Sequence, residues 1–147
     1  MITVLLVDDH IYFRKNLRYM LEATEDIRVI ATASNGMEAV LQARKHCPDV
    51  AVVDISMPLM DGIEATRQIN EACKYTRVMM LSILNHPEYV QRAVEVGAIG
   101  FVLKEAIGKD LVAAIRALAK GKRYFSQAIA AIAETYFNEK GRDSWAG

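Results

Sequence analysis

The sequence predicts a doubly wound α/β domain, and three observations carry that prediction. Five short apolar runs alternate with segments of helical period along most of the 147 residues. The runs are nearly unbroken rather than alternating, which suits parallel strands buried on both faces. The connections are short, so each strand–helix–strand passage closes as a right-handed crossover and an added catalytic lid is not expected.

Residues 2–7 are apolar apart from Thr3 and lead into Asp8 and Asp9, giving the first strand. Phe13, Leu17, Met20 and Leu21 recur at helical spacing and predict a helix over residues 10–23. Residues 27–33 form the second strand, which Asn35-Gly36 breaks. Met37, Val40 and Leu41 begin a second helix that stops at Cys47-Pro48. Residues 50–53 are the third strand and deliver Asp54 at its carboxyl end, where Pro58 and Asp61-Gly62 turn the chain away. Ile63, Thr66, Ile69 and Cys73 give a third helix face, and residues 77–81 a fourth strand ending at Ser82. Asn85-His86-Pro87 opens a short fourth helix with Val90, Ala93 and Val94 on one side, closed by Gly97. Residues 99–103 are the fifth strand, ending at Lys104. The fifth helix starts near Lys109, turns Leu111, Ile115 and Leu118 inward and ends near Gly121.

Bulk composition narrows the function classes. Eighteen Lys and Arg balance eighteen Asp and Glu, so no basic field points to nucleic acid. No apolar run approaches the ~18 residues of a membrane span, and the amino terminus enters a strand without a charged leader. A cytoplasmic, soluble protein is expected. Cys47 and Cys73 have neither metal spacing nor a disulfide framework and read as single thiols in a reducing compartment. His10, His46 and His86 share no metal spacing and read as surface or cap residues.

In a parallel sheet all carboxyl ends lie on one edge, so Asp8 and Asp9, Asp54, Ser82 and Lys104 should converge where such folds hold their ligands. Each alone has a plain structural reading. Acids suit a helix N-terminus, a serine at a strand end is often a turn residue, and a lysine is usually solvated. Together they are harder to explain that way. Two carboxylates ~4 Å apart repel by roughly 4 kcal/mol at an effective dielectric near 20, so the cluster either protonates or holds a hard cation. Oxygen ligands with room for water suit Mg²⁺, and a metal, an ammonium and a hydroxyl around one carboxylate suit phosphoryl transfer with Asp54 as nucleophile.

These stations carry a resemblance. Val-Asp-Asp-His at 7–10, Asp-Ile-Ser-Met-Pro-Leu-Met-Asp-Gly at 54–62, Leu-Ser at 81–82 and Gly-Phe-Val-Leu-Lys-Glu at 100–105 resemble the receiver domain of bacterial two-component response regulators, over residues 1–122. The resemblance implies a flavodoxin-like (βα)5 fold with a five-stranded parallel sheet in the order 2-1-3-4-5. It makes Asp54 the phosphoacceptor, and gives Mg²⁺ to Asp8, Asp9, Asp54 and the main-chain carbonyl of Ser56. Lys104 would pair with the phosphoryl group, Ser82 would move to bond its oxygens, and the buried Phe101 would follow. A sensor histidine kinase is the implied donor, and the fourth helix, fifth strand and fifth helix the readout face.

Residues 123–147 read as a linker helix and tail. Ser126 can cap a helix whose Ile129, Ile132, Ala133, Tyr136 and Phe137 form one apolar stripe, while residues 138–147 are expected to fray. The stripe needs a partner: its own receiver, another copy, or a further domain. Gly-Lys-Arg-Tyr-Phe-Ser at 121–126 resembles the link in NarL/FixJ/LuxR-type transcriptional regulators, which implies a DNA-binding helix-turn-helix domain that this sequence lacks and homodimerisation on phosphorylation. We therefore expect part of a longer regulator. The alternatives are a stand-alone receiver acting by protein contact and an aspartate-nucleophile phosphatase of the haloacid-dehalogenase type. The phosphatase is disfavoured because the acids after strand one are adjacent and no cap is present, so a phosphoacceptor rather than an enzyme is expected.

Overall fold

Strand side chains divide between two apolar layers, and this division closes the fold. The structure is a computed structural model that describes residues 1–146, with side chains described through residue 138. β1 (Ile2–Val7), β2 (Ile27–Ala33), β3 (Val50–Asp54), β4 (Arg77–Ser82) and β5 (Gly100–Leu103) are parallel and ordered 2-1-3-4-5, as expected. On β3, Ala51 and Val53 enter one layer while Val50 and Val52 enter the other. Leu5 and Val7 against Val4 and Leu6 on β1, and Met80 against Met79 and Leu81 on β4, repeat the division. The first layer is covered by α2 (Gly36–His46), α3 (Gly62–Ala72) and α4 (Pro87–Glu95); the second by α1 (Ile11–Glu22) and α5 (Ile107–Ala119).

Local chemistry sets the helix starts. Asn35 accepts the Glu38 amide at 2.8 Å to cap α2, and Asp61 accepts the Glu64 amide at 2.9 Å to cap α3. Gly62 has a further reason to be glycine, because a Cβ there would run into the main-chain carbonyl of Asp54. That close approach packs the start of α3 directly against the end of β3.

On α2, Met37 and Leu41 are exposed, and the inner face is Ala39, Val40 and Ala43, because small residues let α2 sit close to the sheet. Three expectations are corrected. α5 begins earlier than Lys109: a 3-10 turn over Lys104–Ala106 runs straight into Ile107, carrying the chain from β5 without a free loop. The sheet gains a two-residue strand, β6 (Tyr124–Phe125), which pairs in parallel with Gly100 and Phe101 and occupies the otherwise open edge of β5. Finally, α6 (Gln127–Ala146) continues through the segment expected to fray, whose Glu139, Lys140 and Arg142 are good helix formers.

The stripe on α6 finds its partner within the chain. Ile129 and Ala133 are fully buried in the layer that holds Val90 and Ala93 of α4, and Ile132 and Tyr136 pack against it. Arg123 stacks 4.0 Å over the Phe137 ring and reaches Glu134 at 3.9 Å, tying the approach to α6 to its own exposed side.

Candidate functional site

Each of the four stations lies at a strand's carboxyl end because its apolar run stops there. Asp54 is the last residue of β3 and is 3% exposed; Ser82 is the last of β4; Asp8 follows β1 with its side chain wholly buried; Lys104 follows β5. Lys104 Nζ lies 3.0 Å from Asp8 Oδ2 and 3.3 Å from Asp54 Oδ2, so one ammonium spans two buried carboxylates. It also sits 4.5 Å from the centre of the Phe13 ring, which screens it from α1's side. Asp8 Oδ1 accepts the His10 amide at 2.8 Å, and Arg14 donates to the Asp8 carbonyl at 2.6 Å, fixing the turn from β1 into α1.

The charges do not balance. Burial, reinforced by the Asp8 charge and opposed by Lys104, pushes the Asp54 carboxyl up to about 6. Asp54 Oδ1 is held only by a long 3.3 Å bond from the Ser56 amide. Asp9 Oδ1 is buried and accepts no hydrogen bond; His10 Nδ1 is 3.2 Å away, but not in donor geometry. Ligand atoms of Asp8, Asp9, His10 and Asp54 all lie within 4.8 Å of one another. Carboxylate oxygens left unpaired in a crowd of acids fit a hard divalent cation, and the donor set of Asp8, Asp9 and Asp54 suits Mg²⁺.

The structure brings Asp8, Asp9, Asp54 and Lys104 together as the sequence predicts. It does not direct the Ser82 hydroxyl at Asp54. Ser82 Oγ instead donates to the Leu84 carbonyl and accepts the Leu84 amide, both at 2.9 Å, forming a closed turn into the exposed Ile83-Leu84 loop. Phe101 is fully buried in the layer shared with α4 and α6. Ser56 contributes its amide to Asp54 in this arrangement. His10 is expected as a surface or cap residue. Its side chain is indeed 73% exposed and makes no cap bond, yet its ring stands among the acids; its place directly after Asp9 was the available signal. Phe13 and Arg14 gave no sequence signal, since a helical apolar residue and an exposed arginine are common.

A second buried network lies beyond Lys104. Asp110 of α5 accepts hydrogen bonds from Tyr124 Oη at 2.7 Å and Ser126 Oγ at 2.9 Å, and Ser126 Oγ in turn accepts the Leu103 amide at 3.0 Å. The Ser126 hydroxyl expected to cap α6 is thus engaged by β5 and α5, and the Ser126 amide donates to the Phe101 carbonyl at 3.0 Å. The entry to α6 is bonded directly to β5, the strand that Lys104 follows.

Three comparisons agree with this geometry. The model of the response regulator receiver domain matches residues 4–116. Response regulator UvrY of Escherichia coli K12 is 38% identical over 130 residues, covering 88% of this chain and 60% of that protein. Transcriptional regulatory protein LiaR of Bacillus subtilis is 41% identical over 122 residues, 83% of this chain and 58% of that one. A LuxR-family two-component response regulator from Aurantimonas sp. SI85-9A1 superposes with a TM-score of 0.86 at 32% identity, covering 92% of this chain and 96% of that one. The chain spans about three fifths of the length of the curated relatives it matches.

Proposed function

Because the chain belongs to the response regulator receiver domain family, we propose that Asp54 accepts a phosphoryl group from the phosphohistidine of a sensor kinase and that the added charge is read out on α4, β5 and α5. The observation that carries this reading is the Asp54 carboxylate itself, buried at the strand end, under-bonded at Oδ1 and 3.3 Å from the only ammonium in reach among the described residues. A carboxylate oxygen of Asp54 attacks phosphorus, the phosphorus–nitrogen bond breaks, and the imidazole leaves with the electron pair. Asp8, Asp9, Asp54 and the Ser56 carbonyl would hold Mg²⁺, which when bound supplies charge neutralisation to the phosphoryl oxygens. Lys104 pairs with the product on this reading. The chemistry stops at the acyl phosphate, which only slow hydrolysis removes, so the protein is a signalling phosphoacceptor and not a turnover enzyme.

Phosphorylation adds negative charge and fresh acceptor oxygens beside Ser82. Its hydroxyl then leaves Leu84 for the phosphoryl group, the β4–α4 turn follows, and Phe101 repacks beneath α4. The output we propose is control of transcription in the cytoplasm, through dimerisation and a DNA-binding domain; the names of UvrY and LiaR as regulators support it. Among the described residues no helix is long and apolar enough to cross a membrane.

Acetyl phosphate with Mg²⁺ is expected to give one hydroxylamine-labile phosphoryl adduct, and Asp54→Asn to abolish it. An adduct of equal yield on the Asp54→Asn protein would overturn the assignment.

A further inference from the structure

At the opposite edge of the sheet from Asp54, two cysteines distant in sequence meet. Cys47 ends α2 in a left-handed conformation (φ 38°) with its side chain exposed, and Cys73 ends α3 and is buried. Both converge on one oxygen: the Cys47 amide donates to the Ala43 carbonyl at 2.7 Å, and Cys73 Sγ donates to the same carbonyl at 3.0 Å. The chain beyond each cysteine is joined as well, since Thr76 Oγ1 donates to the Pro48 carbonyl at 2.6 Å. Both cysteines line one cleft of about 240 Å³, together with Lys74, Tyr75 and Thr76. The Cys73 thiol and the Cys47 main chain thus share one acceptor beside a fixed loop contact, and only Cys47 is open to solvent, the arrangement of an attacked and a resolving pair.

We propose that Cys47 and Cys73 are a peroxide-oxidisable dithiol that closes to an intramolecular disulfide between the carboxyl-terminal ends of α2 and α3. The steps balance. The exposed Cys47 thiolate attacks a peroxide oxygen, the O–O bond breaks, Cys47 becomes a sulfenic acid, and the departing hydroxide takes a proton to leave as water. Cys73 sulfur then attacks Cys47 sulfur, the S–S bond forms, the S–O bond breaks, and hydroxide leaves as water with the Cys73 proton. One peroxide is reduced and two thiols are oxidised. The order of attack follows from exposure, since Cys47 is open to solvent and Cys73 is buried; burial, and then the neighbouring Cys47, also push the Cys73 thiol up to about 11. The cross-link closes the loop between residues 47 and 73, which holds β3, Asp54 and α3. Oxidation therefore stiffens the frame beneath the phosphoacceptor without touching it.

The test is intact-mass and peptide analysis of the whole 147-residue chain after limited hydrogen peroxide under denaturant-free conditions. Expected are a loss of 2 Da, a single Cys47–Cys73 linked peptide restored by dithiothreitol, and a melting temperature raised by roughly 5 °C. Cys47→Ser, at an exposed position, keeps the fold and must lose the mass change. Cys73→Ser is the second variant, and it must give a stable oxygen adduct on Cys47 if it folds. A gain of 32 Da on wild-type Cys47 with Cys73 still alkylatable, or a disulfide found only between two chains, overturns the proposal.

Discussion

Asp8 and Asp54 are buried together around one ammonium, whereas Asp110, further along the same connection out of β5, is buried around two neutral hydroxyls. Both sites put a carboxylate out of reach of water, and they solve the cost in opposite ways. At Asp110 each oxygen has a donor, and the donors belong to Tyr124 and Ser126, which carry the chain from α5 through β6 to α6. The carboxylate there is a structural fastener. Around Asp54 the acids crowd, Asp9 keeps an unpaired oxygen, and the Asp54 carboxyl is held well above its usual range by its surroundings. Such a site leaves acceptor oxygens short of donors. Burial of an acid therefore marks no function by itself; the missing donors do.

Substitutions at the two sites should move stability in opposite directions. Asp110→Ala removes the acceptor for two hydroxyls and frees β6, and is expected to lower stability by about 3 kcal/mol in urea unfolding. A loss below ~1 kcal/mol would mean that water from the adjacent cleft replaces the carboxylate. Asp54→Asn should instead raise stability by about 2 kcal/mol at pH 7 in chelator, because it deletes a charge that burial and Asp8 disfavour. A destabilised Asp54→Asn protein would erase the contrast. Ser126→Ala leaves the buried Leu103 amide without its acceptor, at a cost of about 1–2 kcal/mol, and should raise the hydrogen-exchange rate of Leu103 before that of Asp54's neighbours on β3.

The smallest effect is one of pH. The Asp110 carboxylate, which accepts the Tyr124 hydroxyl, and then burial, push Tyr124 up to about 12 from an ordinary value of 10. A raised folded-state value means that this stabilisation is full below pH 10 and is lost as pH rises through about 12. Ultraviolet titration should show one late tyrosinate among six tyrosines, absent in Tyr124→Phe. A Tyr124→Phe curve identical to wild type would place the late group elsewhere.

The two sites also differ in how visible they are in the sequence. Asp8, Asp9, Asp54 and Lys104 could be assigned because each ends an apolar run, and parallel strands bring all such ends to one edge. No comparable rule marks Asp110, which sits in the first turn of an amphipathic helix where acids are common. Its partners come from a strand of two residues, too short to leave a periodic pattern. Ser82 shows the limit within the legible site: its position followed from the strand end, but the choice of Leu84 over Asp54 as its partner is a rotamer decision made by the local turn. The nearness of His10 to the acids and of Cys73 to the end of α2 was not legible for a related reason, since spacing along the chain carries no information about contacts made between different elements.

Sequence alone determined the strand runs, their parallel arrangement and the edge on which the reactive side chains collect, because period and polarity act locally and repeat at every element. It also determined that α6 needs a partner for its stripe. Only tertiary structure decided that the partner is α4, that β6 seals the edge of β5, and which carboxylates are satisfied and which are left wanting. Those outcomes depend on which donors arrive within 3 Å from segments far apart in the chain, and that is a property of packing rather than of any window of residues.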